Sequence, residues 1–223
     1  MSGVFGGDYI YHRKVGLLLY NAGVKNKSTS YTQLYSHQQA LRECKACPQM
    51  IGPVITGTTV VSRIMLVGQA PGDKEGVIGR PFGWTAGKTL FKWFASQGVD
   101  EARFRESVYI ASVCRCFPGK NPKGGDRVPN KEEIKNCRSW MEKEFLLQKP
   151  KLIILVGKLA ISQFLPVQKL TDVIGLKFER EIAGEPCTLI PLPHPSGAST
   201  WHRTEPGVSL LQAALEQLGE HPE

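Results

Sequence analysis

After its lysine, the segment 151–157 (KLIILVG) is apolar without a break. A strand with one wet face alternates apolar and polar residues, so a short unbroken run reads as a strand covered on both faces, the habit of parallel sheets. Segments 59–67, 108–113 and 188–192 fit the same sheet, with a short hairpin expected around Gly57. Between them, apolar residues recur at helical spacing: in 86–98 (AGKTLFKWFASQG), Leu90, Phe91 and Phe94 share a face and Gly98 stops the run. Helices are likewise expected over 31–43, 131–147, 158–164 and 207–218. Strand and helix alternate at least three times, which predicts an α/β fold: a three-layer α/β/α sandwich around a central, mainly parallel four-stranded sheet. Residues 1–30, with glycines, serines and lysines in weak periodicity, read as an N-terminal extension to one domain over 31–223.

The first strand opens at Gly68 into Gln69-Ala70-Pro71-Gly72 and then, after a polar stretch, Gly79-Arg80-Pro81-Phe82. Open α/β sheets bind ligands at such loops, beyond the carboxyl ends of their strands. A second proline-bearing corner, Leu192-Pro193-His194-Pro195-Ser196, ends the last strand. The formal net charge of +8, with Lys and Arg dominating 115–138, fits a polyanionic partner. No apolar stretch approaches the roughly 18 residues of a membrane span, and the start lacks the order of a signal peptide, so a cytoplasmic protein is expected. In that compartment six cysteines point to metal or redox chemistry rather than disulfides. Cys44 and Cys47 form a C-x-x-C, with Cys116 and Cys137 far downstream. Such a set can hold Zn²⁺ or an iron–sulfur cluster, and spacing alone does not choose. Cys114 and Cys187, inside strand-like segments, read as small core residues.

Taken in order, Gly68-Gln69-Ala70-Pro71-Gly72, Glu75, Gly79-x-Pro81-Phe82, Ala86-Gly87 and His194-Pro195-Ser196 resemble the two active-site motifs of the uracil-DNA glycosylase superfamily. The four cysteines resemble the ligand set of its iron–sulfur branch. The resemblance implies a monomeric enzyme that swings uracil out of DNA and hydrolyses its N-glycosidic bond, with one [4Fe-4S] cluster on Cys44, Cys47, Cys116 and Cys137, acting near the nucleoid of a bacterium or archaeon. Phe82 would stack on the base, and His194 would donate to the uracil O2 as charge builds on the leaving ring. Gly68, Ala70, Pro71 and Gly72 would line the pocket. Ser196 and Gly197 would grip DNA phosphates.

Several positions depart from one or another group of relatives. The best-studied branch has an aspartate where this chain has Ala70, another branch has one near Thr85, and iron–sulfur relatives usually carry glutamate at Gln69. Gln69 can orient water but is a poor proton acceptor. Ser112 stands where relatives place an asparagine that reads the pyrimidine edge, so another deaminated base, such as hypoxanthine or xanthine, is the alternative substrate. A protein that binds lesions or abasic sites without cleaving is a further alternative. The loop 117–130 offers Lys120, Lys123 and Arg127 for phosphate contact. Beyond His194, the small Ala198 stands where relatives carry an apolar wedge, leaving Trp201 or Arg203 to fill the gap left by the flipped base.

Overall fold

A computed structural model describes residues 28–197 and 199–223. Residues 1–27, most of the expected extension, and Ala198 lie outside the described residues. The helix α1 occupies residues 28–42, so the expected boundary at 30/31 falls inside an element. The chain continues through β1 (Ile64–Gly68), α2 (Asp73–Ile78), α3 (Thr85–Ala95), α4 (Glu101–Ser107), β2 (Tyr109–Ser112) and α5 (Lys131–Gln148). It then forms β3 (Leu152–Val156), α6 (Lys158–Ser162), β4 (Phe178–Ile182), β5 (Glu185–Leu192) and α7 (Gly207–Gly219). No helix among the described residues is long and apolar enough to cross a membrane.

The sheet has five strands in the order β2-β1-β3-β5-β4, not the four expected. Four are parallel, and β4 joins the edge antiparallel to β5. The sequence FEREI hides this strand because its three central residues are exposed, as an edge strand permits. Ala183 and Gly184 (φ 52° and 79°) turn the chain between the two strands, both in the left-handed region that tight hairpins demand. The shorter β1 is the other difference. Residues 59–63 add no rungs to the sheet; instead Gln148 holds them, accepting from the Ser62 amide (2.8 Å) and donating to the Val60 carbonyl (2.9 Å). No hairpin forms at Gly57, whose backbone packs so closely on β2 that a Cβ would stand 2.4 Å from the Ile110 carbonyl oxygen.

Met65, Leu66, Val67, Ile153, Leu155, Leu189 and Ile190 are fully buried at the centre of the sheet. The chain runs from β1 to β2 on one side and returns to β3 on the other. That reversal separates the loops at the carboxyl ends of β1 and β3 and leaves a crevice between them.

Candidate active site

A cleft of about 490 Å³ opens at this edge of the sheet, walled by the loops after β1, β2 and β5. Gln69, Ala70, Pro71, Gly72, Phe82, Ser112, His194 and Ser196 all line it. Gly68 lies behind Phe82: a Cβ on it would approach the ring Cζ to 2.8 Å.

Phe82 has φ 52°, an uncommon conformation for a bulky residue, and is held from three sides. Arg105 on α4 donates to the Pro81 and Phe82 carbonyls (3.1 and 2.9 Å). Glu75, the third residue of α2, accepts from the Gly72 amide (2.6 Å) and the Gly83 amide (3.0 Å), pinning both ends of the loop. Burial pushes the Glu75 carboxyl above its ordinary range, against those two amides. It is therefore a loop clamp. Gly87 on α3 lies under the Phe82 carbonyl, with 1.8 Å between an added Cβ and that oxygen. Gly87→Ala must push backbone against backbone, so it should cost about 1–3 kcal/mol in urea unfolding, the range of overpacked cores. It should also displace Phe82.

His194 follows β5, with its ring against Gly157 at the end of β3. A Cβ there would be 3.0 Å from the ring Cδ2, and Gly157 has φ 89°. The Ser196 amide donates to His194 Nδ1 (3.2 Å). With Nδ1 accepting, the ring's proton in its neutral form sits on Nε2. Burial lowers the His194 pKa, while Asp126 opposes that shift. The Ser196 amide therefore serves the imidazole, leaving its hydroxyl for contacts in the cleft.

Asp126 also lines the cleft, carried in by the loop after β2. Nothing in its sequence neighbourhood marks it, nor Arg105, which acts across more than twenty positions. Glu75 was more legible, since a glutamate at the third position of a helix commonly reaches back to the first amides. Of the loop's cations, Lys120 pairs with Asp126 (2.8 Å) and lies 3.5 Å from Asp73. Arg127 makes a two-pronged pair with the buried Glu133, so it anchors the loop. Lys123 is exposed. Trp201 packs against the core and Arg203 is exposed; neither borders the cleft.

Cys44, Cys47, Cys116 and Cys137 surround a separate cavity of about 320 Å³. One antiparallel rung, Ile51 with Phe117, brings the C-x-x-C segment beside Cys116, and α5 adds Cys137. No three His, Cys, Asp or Glu among the described residues are arranged to hold a single metal ion. Thiolates in such a set can ligate Zn²⁺ or an iron–sulfur cluster. Burial raises the Cys116 thiol to about 11, whereas Cys137 is lowered, first by the neighbouring Cys114 thiol. Cys114 and Cys187 are buried, as core residues.

A family model described as the uracil DNA glycosylase superfamily matches residues 56–219. A type-4 uracil-DNA glycosylase of Pyrobaculum aerophilum is 33% identical over 138 residues, 60% of this chain and 66% of that protein. Another, from Thermotoga maritima, is 31% identical over 163 residues, covering 71% of this chain and 79% of that protein. The chain thus spans just under two thirds of the Pyrobaculum relative. The crystal structure of wild-type Pedobacter heparinus SMUG2 aligns with TM-score 0.41 and 14% identity over 71% of this chain and 73% of that one, too distant to bear on the site.

Proposed function

The chain belongs to the uracil DNA glycosylase superfamily, in its type-4-like branch, and from that premise we propose that it hydrolyses the N-glycosidic bond of uracil in DNA. The observation that carries this reading is the shared cleft of Phe82 and His194. An extruded pyrimidine would stack on the ring of Phe82 while the Nε2–H of His194 points at its O2. As the C1′–N1 bond lengthens, negative charge moves onto the base, and a neutral donor already in place meets it without reorganisation. Gly68, Ala70, Pro71 and Gly72 keep that wall thin, and Gln69 would orient groups at the sugar side.

Ser196, Gly197, Lys120 and Lys123 are the proposed phosphate contacts, with Arg203 flanking them and Arg127 bracing their loop. Trp201 packs on the core beside Gly207, the first residue of α7. Cys44, Cys47, Cys116 and Cys137 would hold a [4Fe-4S] cluster that joins the segment after α1 to α5 and fixes the basic face. A monomer in the cytoplasm, with DNA as its partner, fits this assignment.

Incubating the full chain with an oligonucleotide containing one uracil, then cleaving abasic sites with alkali, tests the reading. Strand scission is expected. Binding without scission would leave a lesion-binding protein instead. Ser112 favours a second substrate, because a hydroxyl reaches less far than an amide. Ser112→Asn should raise the ratio of uracil to hypoxanthine excision about tenfold or more, as expected when a site gains a hydrogen-bonding match. Equal ratios in both proteins would show that position 112 does not read the base.

A further inference from the structure

We propose that Asp126 holds the water that attacks C1′ of the sugar, the task for which Gln69 and Ala70 supply no carboxylate. The inference rests on the glycosylase reading above.

The loop between Gly119 and Arg127 is a small hairpin folded over the cleft. Lys120 and Asp126 form one antiparallel rung, and the Asn121 amide donates to the Gly125 carbonyl (2.9 Å). The Arg127 amide donates to the Gly119 carbonyl (2.9 Å), and the Arg127 side chain closes the base on Glu133. Gly119, Gly124 and Gly125 take φ of 94°, 96° and 74°, which lets so short a loop reverse. Asp126 is thus carried on a braced support.

Its two oxygens have different surroundings. Oδ1 accepts from Lys120 Nζ at 2.8 Å. Oδ2 faces Gly72, 3.3 Å from where a Cβ would stand, and accepts no hydrogen bond among the described residues. The other carboxylates bordering the cleft are engaged. Glu75 has one oxygen on the Gly72 amide and the other on the Gly83 amide. Asp73 takes the Lys74 amide on one oxygen (2.8 Å) and lies 3.5 Å from Lys120 with the other. Asp126 and His194 line the same cleft, and the charge of Asp126 works against the effect of burial on the imidazole.

In the reaction the C1′–N1 bond breaks with its electron pair leaving on uracil, where the His194 Nε2–H meets it at O2. A lone pair of the water forms the new C1′–O bond. The surplus water proton passes to Asp126 Oδ2 and from there to solvent or the uracil anion, so no oxidant or reductant is needed. In a dissociative reaction the carboxylate contributes mainly by orienting the water and favouring positive charge on the sugar.

The test is single-turnover uracil release by the full chain as wild type, Asp126→Asn and Asp126→Ala, the last with and without sodium formate. A loss of about a hundredfold in both variants is expected. Formate, a small carboxylate able to enter the vacated space, should restore Asp126→Ala at least tenfold. Rates within threefold of wild type overturn the inference, as does a loss that formate does not relieve. If the wild type itself releases no uracil, the glycosylase reading has failed, which is a separate result.

Discussion

Replacing His194 with alanine should lower single-turnover uracil release by about 10²–10³-fold, the usual effect of removing one preorganised donor from a developing anion. The expectation follows from a defined tautomer. The Ser196 amide occupies Nδ1, so the neutral ring presents Nε2–H, and Gly157 lets it lie close to the sheet. Burial keeps the His194 pKa below the ordinary 6.5, with Asp126 opposing that shift only in part. Protonation is therefore postponed to more acid solution. The contribution of this group should stay constant through neutrality and fall as pH drops below about 6.5. A pH–rate profile checks the sign: a rate that rises as pH falls through this range would mean that the imidazolium, not the imidazole, is at work. His194→Ala should leave folding nearly unchanged, so urea midpoints close to wild type make the kinetic loss interpretable.

The largest loss of stability is expected from Glu144→Leu. Arg115, between Cys114 and Cys116, is completely buried, and its guanidinium grips both oxygens of Glu144, at 3.0 Å for Nη1 to Oε1. Tyr109 donates to the same carboxylate (2.7 Å), and Gln38 on α1 donates to the Tyr109 hydroxyl (3.4 Å). Burial works against the charge on Glu144, but Arg115 beside it prevails and holds the carboxyl below its usual range. Removing one partner strands a charge in an apolar interior, which costs about 3–5 kcal/mol. The double variant Arg115→Met with Glu144→Leu should recover much of that loss, because no charge is stranded and only the Tyr109 hydroxyl and His37 Nε2 lose the carboxylate they face. Urea unfolding of the two proteins decides the matter. A single variant as stable as the double would show that the pair is not dry. Because Glu144 lies two turns beyond Cys137 on α5, the single variant should also loosen the cysteine cavity. The pair's stabilisation is present above the ordinary carboxylate range and is lost as pH falls below that range, through the lowered Glu144 pKa.

Much of this molecule was written in continuous segments. The unbroken run at 152–156 became the fully buried β3, and the motifs after β1 and β5 reached one cleft because parallel strands deliver their carboxyl ends to the same edge. Apolar runs, glycines and prolines act on their immediate neighbours, so such features can be read residue by residue. The edge strand β4 escaped because its partner, not its own polarity, makes it a strand. Arg105 under the Phe82 loop, Glu144 against Arg115, and Asp126 over the cleft meet their partners across long sequence separations. Hydrogen bonds and ion pairs depend on distances of about 3 Å. A linear pattern carries no record of which remote side chains the folded backbone will bring within that reach.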